Sequence, residues 1–148
     1  MQIKIFLSAL FFPILLVSLI FSPGYCGSAD KAYEQLKLEL ESEGVSGEFI
    51  QATGNSVKRM IASGGPTADI KKVLLDLWSE KVTGRALKNA VAAVAELVAS
   101  GDNVLEAGKI ASGAAHKAEA EGLSGFGVGM RVKKAVQERK AYLKSLKK

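Results

Sequence analysis

The sequence predicts an all-α fold, and three observations predict it. Apolar residues recur at spacings of three and four along most of the chain after residue 30. No stretch alternates apolar and polar residues as a half-buried strand does. Glycine, proline and Asx clusters recur where helices would stop. The expected architecture is a series of antiparallel helical hairpins, stacked either as a short α-solenoid of 37–41-residue repeats or as a compact bundle.

The elements follow in chain order. Lys4 precedes Ile5 to Phe21, an uncharged run of 17 residues interrupted only by Ser8, Pro13 and Ser18. That is shorter than the ~20 residues that span a bilayer comfortably, and it leads into Pro23 and a set of small residues. This is the layout of a secretory signal peptide over residues 1–29. Gly24 and Cys26 would serve a cut before Gly27, and Gly27 and Ala29 a cut before Asp30. The alternative is an uncleaved N-terminal anchor. Cys26 raises the further reading of a lipid-modified first residue, against which stands Pro23-Gly24-Tyr25, with a bulky ring beside the bond to be cut.

Residues 30–148 are read as one helical domain. Lys31 to Glu43 carries the stripe Ala32, Leu36, Leu40 with Tyr33 beside it, and Val45-Ser46 introduces the next helix. Gly64-Gly65-Pro66-Thr67 ends that helix and starts another, whose stripe is Ile70, Val73, Leu74, Leu77, Trp78. Arg85 to Ala99 is the clearest case: Leu87, Ala90, Val91, Val94, Leu97 and Val98 form one face, and Ala92, Ala93 and Ala95 add helix propensity around it. Ser100-Gly101-Asp102-Asn103 supplies the next stop, with Asp or Asn as cap. Asn103 to Ala120 is rich in small residues, and Gly108-Lys109-Ile110-Ala111-Ser112 would allow close helix packing. A last, basic helix spans 128–147, with Val132, Val136, Tyr142, Leu143 and Leu146 opposite its charges.

Short strings recur along the domain. Glu43-Gly44-Val45-Ser46-Gly47 returns as Glu80-Lys81-Val82-Thr83-Gly84 and as Glu121-Gly122-Leu123-Ser124-Gly125, at offsets of 37 and 41, and Ala62-Ser63-Gly64 returns 37 residues on as Ala99-Ser100-Gly101. Two origins fit: a repeated hairpin, or independent use of common capping chemistry. The signature residues of tetratricopeptide and ankyrin repeats are absent.

Composition excludes several classes. The 148 residues leave room for one domain, and 15 Gly without a three-residue period, three Pro and one Cys exclude a collagen-like, low-complexity or disulfide-rich chain. No catalytic constellation stands out, and no cofactor is expected. His116, the only histidine, has Glu119 three residues on, but a metal carboxylate site would need further ligands, and a surface histidine is the expected reading. Asp76 and Glu80 are an i,i+4 pair read as a solvated face. The glycines at 122, 125, 127 and 129 follow no strand, so they read as a turn and not as a phosphate loop, with Phe126 either an exposed tip or a core plug.

Charge is uneven. Arg131 to Lys148 holds eight basic residues against Glu138, a net of +7, whereas Asp30 to Met130 holds 11 basic and 14 acidic, a net of −3. Arg131, Lys133, Lys134, Arg139, Lys140 and Lys144 are therefore the candidate contacts to an anionic membrane surface or an acidic partner. The other reading docks this helix by its apolar face on the acidic body, leaving its cations solvated. Nucleic acid is not expected, because the aromatic platforms for single strands are missing. The expected function is that of an exported small helical protein of the cell envelope, periplasmic or secreted, acting by binding or scaffolding. The alternative is a membrane-surface protein that uses the basic helix or an uncleaved anchor.

Overall fold

The computed structural model describes residues 24–79 and 84–147, with the side chains of 24–26 outside that description. The apolar run Ile5–Phe21, Pro23 and residues 80–83 of the second recurring string thus lie outside the described residues, as does Lys148. Six helices and no strand make up what is described: α1 Gly24–Ser42, α2 Gly47–Ala62, α3 Thr67–Ser79, α4 Gly84–Ala99, α5 Val104–Ala120 and α6 Gly125–Ser145. Among these no helix is long and apolar enough to cross a membrane.

Helix ends are fixed by local chemistry. Gly44, Gly64, Gly101 and Gly122 all take left-handed backbone, with φ of 82°, 85°, 93° and 75°. At each, the next residue's amide reaches back to a last-turn carbonyl: Val45 to Leu40, Gly65 to Met60, Asp102 to Leu97 and Leu123 to Ala118, at 3.0 to 3.1 Å. An L side chain is strained in this backbone region, so glycine is the stop signal. At the starts, Ser46 Oγ accepts from the Phe49 amide, and Asn103 Oδ1 accepts from the amides of Leu105 and Glu106. Of the two cap candidates in the α4–α5 turn, Asn103 takes the role.

Helices pack on their next and next-but-one neighbours. α1 lies on α2 and α3, α2 on α4, α3 on α5, and α4 and α5 both on α6. One apolar cluster runs through all six. α4 is its centre, in contact with α2, α3, α5 and α6, and it buries nine residues. Ala93 and Ala95, expected beside the apolar face, are buried too, because α4 is covered on several sides. Small residues set two close approaches. A Cβ on Gly108 of α5 would stand 2.6 Å from a methyl of Val73 in α3, and one on Gly54 of α2 would stand 2.5 Å from the Tyr33 hydroxyl. Tyr33 donates that hydroxyl to the Ile50 carbonyl at 3.3 Å, which ties α1 to α2. Lys71 on α3 bridges Glu39 of α1 and Glu43 in the turn after it. Among the described residues, every buried one in α1 lies after Asp30, so a cut before either Gly27 or Asp30 would leave the described core whole.

Three expectations change. Trp78 is more than a third exposed and lies tilted against Phe49, 5.3 Å between ring centroids, while the inward row of α3 is Ile70, Val73, Leu74 and Leu77. Tyr142 and Leu146 are exposed on α6, whose buried row is Val128, Val132 and Val136. The recurring strings do not repeat one physical role: Val45 is buried and Ser46 caps, whereas Leu123 is more than a third exposed and the Ser124 side chain makes no capping bond. α2 and α4 both have 16 residues and begin 37 apart. α3 and α5 also begin 37 apart. The same glycine stop closes α1, α2, α4 and α5. The architecture is a compact helical bundle.

Candidate functional site

α6 holds most of the residues singled out by charge, and its fold context sorts them. Val128, Val132 and Val136, spaced by four, bury one face against α4 and α5. That face fixes which flank each cation takes. Arg139 points inward and grips Asp102 of the α4–α5 turn with two parallel bonds, Nε to Oδ2 and Nη2 to Oδ1, both 2.8 Å. The Asp102 side chain is only 3% exposed. Arg139 holds its carboxyl below the usual carboxylate range, helped by the Asn103 amide, and the bonds outweigh the opposing push of burial. Lys140 meets Glu96 of α4 at 2.6 Å, and Arg131 meets Glu121 at 2.6 Å.

Three of the six candidate cations, Arg131, Arg139 and Lys140, are thus engaged by carboxylates outside α6, two of them on α4 or the turn after it. Lys134 pairs within the helix with Glu138 at 3.9 Å. Lys133 and Lys144 are exposed and make no ion pair among the described residues. The predicted row therefore does not form one surface; part of it is a clamp and part faces outward. Cys26 falls in the first turn of α1 and its side chain lies outside the described residues.

Charge alone did not reveal what lies beside Lys133. Phe126 is 75% exposed and Met130 54%, and they line a groove of about 280 Å³ between α6 and α4. Its α4 side is Asn89, Ala92, Ala93 and Glu96. The trough exists because small side chains floor it and Gly129 lets α6 approach: a Cβ there would stand 2.7 Å from the Asn89 amide nitrogen. The spacing 126, 130, 133 is one helical stripe and was the available signal. A second groove, between α5 and α6, sets Lys109, Lys117, Arg131 and Lys134 around a floor that includes Ile110, Gly113 and Ala114.

The residues weighed for catalysis are not assembled. Asp76 lines a groove with Lys72, Lys109 and Ser112 that includes neither His116 nor Glu119, and Glu80 lies outside the described residues. Among the described residues no three His, Cys, Asp or Glu side chains gather as a metal site would require. What fold and surface define is an all-helical bundle with a clamped terminal helix that offers one mixed apolar and cationic flank. No family model, no curated protein and no solved structure matches the chain.

Proposed function

We propose that the chain is an exported helical protein of the cell envelope, periplasmic or secreted, that acts by binding or scaffolding. The observation that carries this reading is the division of labour on α6. Arg139, pointing inward, and Lys140, at the edge of the helix, hold it to the body, while Phe126, Met130, Lys133 and Lys144 remain on the surface. Exposed large apolar groups beside a groove mark a contact surface more often than a reaction site. Export is supported by the 17-residue uncharged run behind Lys4 and the small residues that follow it.

A second reading, attachment to a membrane surface, is favoured by the same exposed pair. In its simplest form the basic helix would lie on lipid by its valines. Those valines are buried against α4 and α5, so that form requires α6 to leave the body.

Cell fractionation with mass measurement of the isolated protein tests the export reading. A chain beginning at Gly27 or Asp30 in the envelope or medium is the expected result. A lipid mass on Cys26, or an intact Met1 in the membrane fraction, would instead give an anchored protein. Recovery of the intact chain from the cytosol would overturn export.

A further inference from the structure

We infer that the outer flank of α6, together with the mouth of its groove against α4, docks the folded bundle on an anionic phospholipid bilayer. This rests on the membrane-surface reading above and differs from its simplest form in using the flank, with the valine face still docked on the body.

The flank is continuous. Phe126, Met130, Lys133, Gln137, Lys140 and Lys144 follow one another at intervals of three and four, so they share one stripe along about 27 Å of helix. Its two ends differ in chemistry. Near the α5–α6 turn, Leu123, Phe126 and Met130 are all exposed, three large apolar groups within eight residues. Further along, Lys133 and Lys144 carry free charge, and Lys147 extends the row without an ion pair among the described residues.

The acids near this stripe are few and already engaged. Glu96 on α4 is held by Lys140, and Glu138 lies toward the α5 side with Lys134. The field along the flank is therefore positive, and its polar neighbours include the uncharged Asn89, Ser100 and Gln137.

This layout suits a bilayer surface better than a small ligand. A ligand filling the 280 Å³ groove would touch Phe126, Met130 and Lys133 and leave Lys144 idle, about 16 Å farther along the helix. A bilayer engages both ends at once: apolar tips enter the headgroup boundary and lysines meet lipid phosphates. The surface also follows the edge of a single helix. The uncharged Ile5–Phe21 run, whether cleaved or retained, delivers the chain to a membrane in the first place.

Cosedimentation of the full chain tests this, with vesicles of pure phosphatidylcholine and with vesicles containing about one-third phosphatidylglycerol. The apolar N-terminal run partitions into both and carries Lys4, so the flank is read from the part of the difference that its variants remove. The intact chain is expected to prefer the anionic vesicles, with the preference falling at high salt. Phe126→Ser with Met130→Ser should weaken the anionic-vesicle binding about tenfold. Lys133→Glu with Lys144→Glu should remove at least about twentyfold of the preference, since each lysine near such a surface contributes about fivefold. Lys31→Glu with Lys37→Glu, the same charge change on α1, should leave the preference unchanged. These positions are outside the core, so the variants fold, and thermal melts verify it. No preference in the intact chain, or equal loss in the α1 and α6 charge variants, would overturn the docking surface. Export stands or falls separately, on the fractionation.

Discussion

Leu97→Ala is expected to lower the unfolding free energy by about 3 kcal/mol and the melting temperature by roughly 10 °C. Leu97 has no solvent exposure and sits in the last turn of α4, the helix that α2, α3, α5 and α6 all touch. Its carbonyl also accepts the amides of Ser100 and Asp102, so the residue anchors the turn that carries the clamp to α6. Alanine is a strong helix former, which leaves the loss to cavity and transfer effects and not to helix propensity. A site enclosed by several helices collapses poorly around a void. Leu38→Ala provides the contrast: that side chain is 66% exposed on α1, and its loss should change stability by less than about 0.5 kcal/mol. Chemical unfolding of the two variants beside the parent chain checks both. A Leu97→Ala cost under about 1 kcal/mol would mean that α4 is not the centre of the core.

Asp102→Ala is the second large effect, at about 2 kcal/mol near neutral pH. The substitution removes a buried carboxylate that accepts both prongs of Arg139, while the residue's own amide still closes the α4 stop at Leu97. The cost should depend on pH in a defined direction. Because Arg139 depresses the Asp102 pKa in the folded state, the folded chain binds that proton more weakly than the unfolded chain does. The stabilisation is therefore fully present above the unfolded value of about 4 and is lost as pH falls through the lower folded value. The gap between the parent chain and Asp102→Ala should stay constant from pH 7 down to about 4 and close below it. Asp102→Asn, which keeps shape and one acceptor, should fall between the two at neutral pH.

The fold was largely legible in the sequence because its signals are local. Three-and-four spacing placed the helices, and the pairing of a small polar residue with glycine placed their ends within a few residues. The last helix begins at Gly125, three residues before the expected start at 128, because Ser124 opens it and the glycines that follow do not prevent a helical turn. Recurrence of a string proved a weaker guide, since Val45 is buried and Ser46 caps in one copy while Leu123 is exposed and Ser124 makes no side-chain cap in another.

The surface of α6 was only half legible. Its charge excess was visible, but which cations face inward depends on carboxylates far along the chain. Asp102 is 37 positions from Arg139, and Glu96 is 44 from Lys140. Asp102 also reads locally as a helix cap. Only when Asn103 takes both first-turn amides does Asp102 become free to meet Arg139. Tyr142 and Leu146 illustrate the same limit. Their period matches an apolar face, yet among the described residues both stay exposed, and Tyr142 lies against Arg139, 5.3 Å from its guanidinium.

The central claim is that α6 is a docked part of the fold whose outer flank does the binding, and not a basic tail that becomes structured on a surface. Hydrogen–deuterium exchange of the amides from Val128 to Lys140, with and without anionic vesicles, tests this most directly. Strong protection in solution that is retained on the vesicles, together with weakened protection in Asp102→Ala, is the predicted result. Free exchange of these amides in solution, with protection gained only when vesicles are added, would contradict it.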